Sequence, residues 1–295
     1  MIYITGATGR LGRELINLID AVPLVRKKSN LVNEKITSFK PNELKKILKN
    51  ADAIIHLAGS MNFSDKKDLW KSNVELTKNI VDSLPEKTRI VFASSISVYG
   101  KKPVKMPVDE KTPVNPDTDY SKSKLEAEEI ISRHKNHVIL RLGTMYGMNY
   151  GEYFRILKLI NQGKMAIIGD GKNRISFVHV EDVAKAVKNS LKAKTGTYVV
   201  AGESLPQEKI YEIAAKELKV GKPKKKIPKF VALLLTWFYE KKASLSGKKL
   251  AMTSEHIKIL SSDRVFRCSK AEKELKFKPR SISDGIRSMV AETKL

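Results

Sequence analysis

The sequence predicts an α/β protein: an open, doubly wound parallel sheet with a smaller, mostly helical C-terminal lobe. Three observations point there. The glycine-rich stretch Gly6-Ala7-Thr8-Gly9-Arg10-Leu11-Gly12 lies between a β-branched apolar run and an amphipathic helix. Short apolar runs and helical stretches then alternate through residue 142, the pattern of parallel strands joined by crossover helices. Beyond that point the alternation loosens, and helical patterns dominate from Ile227 onward. Residues 1–165, with 176–200 returning to them, are read as a dinucleotide-binding core, and 201–295 as a substrate lobe.

The first strand is Ile2-Tyr3-Ile4-Thr5, and Leu11, Leu15, Ile16 and Ile19 form one helical face after the glycines. Strand, glycine turn and helix form the setting of a Rossmann-type phosphate loop. One glycine permits the turn, a second admits a pyrophosphate to the backbone, and a third lets helix and strand pack closely. The spacing is G-x-x-G-x-x-G. Val22-Pro23-Leu24-Val25 is the second strand, so close to the first that the crossover is parallel and right-handed. Arg26-Lys27-Lys28 follows it. At this place an acid binds a ribose 2′-hydroxyl and a base accepts a 2′-phosphate, so Arg26 favours NADP over NAD.

Residues 35–39 are a weak third strand, and Pro41 opens a helix ending near Asn50. Ala53 to Leu57 form a buried strand followed by Ala58-Gly59-Ser60, small residues that leave room for a cofactor. A helix spans about Asp65 to Leu84. Ile90 to Ala93 form a strand ending in Ser94-Ser95, and residues 101–119, with four prolines, read as a long ordered loop over a site. A helix from Tyr120 to about His134 and a strand at 138–141 complete the alternation. Further strands are expected at 166–168, 176–180 and 197–200, and helices after Glu181 and at Gln207–Leu218.

Composition narrows the class. A chain of 295 residues, 41% hydrophobic and 30% charged, reads as globular. No apolar run is long enough to cross a bilayer, the first strand leaves no room for a signal peptide, and Cys268 is the single cysteine. A cytoplasmic protein without disulfides or a bound metal is expected. The net charge is +24, with 44 lysines against 12 arginines. Most are dispersed as solvated faces, which disfavours nucleic acid. Between Lys219 and Lys249, however, ten lysines face one acid, Glu240. Within that stretch Phe230 to Tyr239 is an apolar, aromatic run. It reads as a substrate-lobe helix packed on the core, or as one whose exposed side meets an anionic membrane or roofs an apolar pocket. The reading leaves room for a homodimer.

Tyr120 and Lys124 lie four apart on a helix and share a face. An ammonium near a phenol lowers its pKa, and such a tyrosine exchanges a proton with an alcohol or carbonyl while hydride moves. A serine hydroxyl on the same oxygen orients the substrate; Ser95, at a strand end, is placed for that. The order glycine loop, Ser-Ser strand end, proline-rich loop and Tyr-x-x-x-Lys gives the pair its weight.

With these stretches go His56-Leu57-Ala58-Gly59, Asn73 to Thr77, Ser94 to Gly100, Arg141 to Gly147 and Phe177 to Ala184. In this order they resemble the extended short-chain dehydrogenases/reductases. That superfamily includes nucleotide-sugar epimerases and dehydratases, dihydroflavonol reductases and 3β-hydroxysteroid dehydrogenases. The resemblance implies a catalytic Tyr120, a Lys124 that also holds the nicotinamide ribose, and Ser95 as third member, with Ser94 as its substitute. It places Gly6, Thr8, Gly9, Arg10, Leu11, Gly12, Arg26, Leu57, Ala58, Gly59, Asn73 and Lys124 around the cofactor. Thr144 stands where sugar-nucleotide enzymes usually carry asparagine, and Ile175 where they often carry a pyrophosphate-binding arginine, Arg174 being one residue off. Arg141 to Gly147 is closer to the reductase and hydroxysteroid branch. The expectation is therefore an NAD(P)-dependent oxidoreductase acting on a hydroxyl or ketone carbon of a small molecule. The alternative is a nucleotide-sugar epimerase or dehydratase with tightly held NAD, and a lesser one is a non-catalytic dinucleotide-binding scaffold.

Overall fold

The computed structural model describes residues 1–63, 65–148, 150–246, 254, 257–258 and 261–293, with backbone alone for 242–246. Lys248 and Lys249, the end of the lysine-rich stretch, lie outside the described residues.

Seven parallel strands form the main sheet. β1 (Ile2–Thr5), β2 (Val22–Val25), β3 (Lys35–Ile36), β4 (Ala53–His56), β5 (Arg89–Ser95), β6 (His137–Leu142) and β10 (Gly196–Val200) stand in the order 10-6-5-4-1-2-3. The order reverses between β1 and β4, which pair from Ile2↔Ala53 to Thr5↔His56. The crevice where such a sheet takes its ligand therefore opens over the ends of those two strands. β4 is buried at all four positions, as expected of a strand covered on both faces.

One face of the sheet is covered by α1 (Arg10–Ile16) and α7 (Val180–Ser190), whose Leu11, Leu15, Val183 and Val187 join Ile4, Ile55 and Val91. On the other face α2 (Pro41–Leu48), α4 (Leu76–Val81) and α5 (Asp119–Ser132) bring Leu44, Leu48, Ile80, Ala127 and Ile131 to Tyr3, Ile54 and Ile90. The helix expected from residue 65 is broken by geometry. α3 (Lys66–Leu69), capped by Asp65 on the Asp68 N–H, passes through a π-helical turn, Trp70–Glu75, before α4. α5 starts from a reciprocal capping box between Thr118 and Ser121, which fixes the first turn.

The lobe is built on a three-stranded sheet of β7 (Thr144–Tyr146), β9 (Arg174–His179) and β11 (Ser204–Pro206). Around it pack α6 (Gly151–Asn161), α8 (Gln207–Glu217) and a last helix at Ile282–Glu292, sharing Leu157, Ile160, Ile210 and Ile286. β8 (Ile167–Ile168) pairs with β12 (Lys226–Ile227), which leads into α9 (Lys229–Ser246).

Of residues 176–200, α7 and β10 join the large sheet, whereas β9 pairs with β7 and β11. The segment after 201 is also divided. α10 (Ser269–Glu274), with Cys268, Ala271, Leu275 and Phe277, packs into the core beside β10. An edge strand leaves one apolar side to be covered, and the chain returns to cover it.

Candidate active site

The glycine loop is shaped by contacts that exclude side chains. Gly6 has φ +74°, and a Cβ there would lie 2.7 Å from the Ala58 nitrogen, so β1 delivers its loop directly against the segment after β4. A Cβ on Gly12 would sit 2.2 Å from the Gly6 carbonyl oxygen, so α1 rests on the turn. Gly9 caps α1 and brings no side chain to its first N–H groups. The cradle thus fits a pyrophosphate held by backbone. Leu11 is buried and can contribute only through its backbone; Thr8 is exposed and its carbonyl accepts from Arg13 Nε at 3.1 Å. Arg10 reaches the lobe, where Nη1 and Nη2 donate to Glu152 at 2.5 and 3.0 Å and the guanidinium lies 4.4 Å above the Tyr150 ring.

Arg26 is exposed at the tip of β2. The neighbouring acid, Glu34, is spent on its own turn, accepting from the Ser29, Asn30 and Leu31 N–H groups. Leu57, Ala58 and Gly59 follow β4. Gly59 has no room for a side chain, because a Cβ would meet Asn73 Oδ1 at 2.6 Å. Asn73 is 1% exposed. Its Oδ1 accepts from the Ser60 N–H at 2.8 Å, and its Nδ2 donates to the Ser60 carbonyl and to Ser123 Oγ. The structure makes it a brace between the β4 loop and α5, with its amide already committed, where the resemblance implied a residue around the cofactor. The π turn that carries it widens the helix by one residue, a feature common at functional sites.

Below the loop runs a chain of hydrogen bonds whose proton order is determined. Thr77 Oγ1 donates to the Asn73 carbonyl at 2.6 Å, so it accepts from His56 Nε2 at 2.9 Å. His56 Nδ1 then accepts from Thr5 Oγ1 at 2.7 Å, and Thr5 Oγ1 accepts from the Ala58 N–H at 3.2 Å. Burial, helped by the Lys124 charge, pushes the His56 pKa down to about 3. The unfolded chain binds this proton below about pH 6.5, and the folded chain not until about 3. Stability therefore falls as pH drops through that window, by about 1.4 kcal/mol per unit from this group. Denaturant titrations between pH 7 and 4 should show a shallower decline in His56→Gln than in wild type. Equal slopes would remove this role for His56.

Ser95 ends β5, Tyr120 and Lys124 occupy the first turns of α5, and the structure brings the three together. Ser95 Oγ accepts from the Ser97 N–H at 3.1 Å, while burial raises the Tyr120 pKa above its ordinary value, with the Ser95 hydroxyl opposing that shift. The Phe63 ring stands edge-on to Tyr120 at 5.4 Å. Ser94 is excluded as a substitute, because its hydroxyl donates to Glu128. Lys124 is buried, donates from Nζ to the Ala93 carbonyl at 2.6 Å and lies 4.3 Å over the Phe92 ring. Burial lowers its pKa to about 8, against the opposing charge of Glu128. The sequence suggested an ammonium that depresses the phenol. Here burial holds the Tyr120 pKa above its ordinary value, and Lys124 Nζ is turned to the Ala93 carbonyl at the strand end.

Glu128, Arg141 and Tyr99 form the floor, and sequence reasoning gave them no role. Glu128 accepts from Arg141 Nη2 at 2.7 Å, and Arg141 Nη1 donates to Tyr99 Oη at 2.8 Å. Tyr99 Oη donates to the Asp109 carbonyl at 2.9 Å, anchoring the proline-rich loop. The Glu128 spacing, one turn past Lys124, was the available signal. On the lobe side Ile175 is buried among apolar residues and Arg174 donates to the Ser204 carbonyl. Arg174 is thus the arginine of that strand, exposed and turned toward β11.

A family model described as the NAD dependent epimerase/dehydratase family matches residues 2–202, and the chain belongs to that family. A relative from Escherichia coli O157:H7, N-acetyl-α-D-glucosaminyl-diphospho-ditrans,octacis-undecaprenol 4-epimerase, is 26% identical over 228 residues, covering 72% of this chain and 68% of that protein. The crystal structure of UDP-N-acetylglucosamine 4-epimerase from Bacillus cereus superposes with a TM-score of 0.76 at 22% identity, covering 98% of this chain and 95% of that one. UDP-N-acetylglucosamine 4-epimerase from Methanobrevibacter ruminantium M1, in complex with UDP-N-acetylmuramic acid, gives 0.76 at 20%, covering 98% and 96%. The protein is an NAD-dependent enzyme of this class. These relatives side with the epimerase/dehydratase alternative rather than with net oxidoreduction.

Proposed function

We propose that the protein epimerises a sugar carried on a diphosphate, with Tyr120 as the proton-transfer residue. The observation that carries the reading is the placement of Ser95 at the end of β5 against the first turns of α5, which carry Tyr120 and Lys124, with Lys124 Nζ donating to the Ala93 carbonyl at 2.6 Å beside the glycine cradle. When bound, the dinucleotide supplies the hydride acceptor and donor. Gly6, Gly9 and Gly12 would hold its pyrophosphate by backbone, and Lys124 its ribose. Tyr120 holds a proton at its phenol oxygen for exchange with a sugar oxygen, and Ser95 keeps that oxygen aligned. Incubation with UDP-N-acetylglucosamine and a catalytic amount of NAD or NADP tests this by NMR. Inversion at C4 without accumulating reduced cofactor supports it; stoichiometric NAD(P)H production would return the protein to net oxidoreduction.

For the cofactor, the exposed Arg26 and the occupied Glu34 support NADP. A charge-assisted hydrogen bond to a 2′-phosphate is worth about 1.5–3 kcal/mol. Arg26→Asp should therefore weaken NADPH binding about 10- to 100-fold in a fluorescence titration and leave NADH binding unchanged or improved. Tighter NADH than NADPH binding by the wild type would make the cluster plain surface charge.

A further inference from the structure

α9 carries a broad apolar face that is exposed among the described residues. Phe230, Leu234, Leu235, Trp237, Phe238 and Tyr239 are each between 46% and 70% exposed. Phe230, Leu234 and Phe238 stand in a row at i, i+4 and i+8, and at 100° per residue Trp237 and Leu235 flank that row. The opposite side is the docked one. Ala232 and Thr236 are buried, Ala232 packs with Ile168 and Ile257, and β12 ties the helix to β8. A soluble surface rarely leaves so many adjoining large apolar side chains open.

The charges around this face are of one sign. Lys224, Lys225 and Lys229 are exposed just before it, and Lys241 Nζ lies 4.7 Å over the Trp237 ring. Lys222 and Lys226 are committed to Glu212 and Glu208, on α8. The acid of the run, Glu240, is turned away, its carboxylate accepting from Ser254 N–H at 2.7 Å and Oγ at 3.1 Å. A second copy of the chain would bring the same lysines and a net charge of +24 against this patch. The ten-residue run Phe230–Tyr239 rises about 15 Å, half of a hydrocarbon core, and among the described residues no helix is long and apolar enough to span one.

We propose that α9 docks the protein on an anionic bilayer surface, lying in the plane of the interface with Phe230, Leu234, Trp237 and Phe238 in the acyl boundary and the lysines among the headgroups. Large aromatic and aliphatic side chains on one side and lysines at the edges are what such helices use. The proposal is independent of the reaction.

Co-sedimentation of the full chain with vesicles tests it. At low salt, vesicles with 30 mol% phosphatidylglycerol should bind at least about tenfold more protein than pure phosphatidylcholine, and 0.5 M NaCl should remove most of that difference. Trp237 emission should shift to the blue on binding, and the shift should vanish in Trp237→Phe. Phe230→Ser/Phe238→Ser changes exposed side chains alone and should bind about tenfold less while keeping the wild-type circular dichroism and thermal transition. Lys224→Glu/Lys225→Glu/Lys229→Glu should lose binding to anionic vesicles. Three results would overturn the proposal. One is no binding to anionic vesicles at low salt. Another is equal binding by the Phe230→Ser/Phe238→Ser variant, which would mean charge alone holds the protein. The third is concentration-dependent self-association in sedimentation velocity, abolished by Phe238→Ser, without vesicle binding.

Discussion

Tyr120→Phe should lower kcat by about a thousandfold, within the range that a positioned proton-transfer group supplies, and leave cofactor affinity within about threefold. The substitution deletes the phenol oxygen and keeps the ring that stacks T-shaped with Phe63. Folding and the cofactor cradle are therefore undisturbed, and the loss falls on turnover. Steady-state kinetics and a fluorescence titration of cofactor check the two halves separately. Lys124 differs, since it also touches the strand end through the Ala93 carbonyl. A Tyr120→Phe enzyme within tenfold of wild type on an authentic substrate would take the proton-transfer role from this residue.

Glu128→Ala should be the most destabilising single change near the site, at about 3–5 kcal/mol. Glu128 and Arg141 are paired at 2.7 Å with their side chains 5% and 10% exposed. Removing the carboxylate leaves a buried guanidinium with Tyr99 as its remaining partner and strands the Ser94 hydroxyl. The melting temperature should fall by about 10 °C on the usual scaling for chains of this size. A Glu128→Leu/Arg141→Met double variant should recover much of that, because the cost lies in the uncompensated charge. A fall of less than about 2 °C in Glu128→Ala would contradict the ion-pair account. The same carboxylate opposes the lowering of the Lys124 pKa, so its loss should also move Lys124 further below about 8.

The main sheet was legible because its demands are local. β4 is buried at every position, with Ala53, Ile54 and Ile55 apolar, and Gly6 and Gly12 stand where a Cβ would strike Ala58 or the Gly6 carbonyl. What stayed hidden depends on long-range partners. Periodicity marks residues 176–180 as a buried strand but not which sheet takes it, and β9 goes to β7 and β11. Ser94 and Ser95 are equivalent in sequence, and they are separated by Glu128, 34 residues on from Ser94. The π turn at Asn73 costs one residue in a helix and leaves no mark in the apolar pattern. The direction of the tyrosine shift was missed because spacing places Lys124 on the same face but does not say that its Nζ bonds Ala93. For α9 composition allowed both a packed and an exposed helix; the buried row Ala232 and Thr236 is short, and the aromatic side is open.

The central claim is that Tyr120 moves a proton to and from oxygen while the carbon-bound hydrogen of the substrate leaves and returns as hydride. Epimerisation of UDP-N-acetylglucosamine in D2O, followed by NMR at C4, tests it most directly. The account predicts inverted product with protium at C4, no net reduced cofactor, and loss of the reaction in Tyr120→Phe. Solvent deuterium at C4 of the product would contradict it.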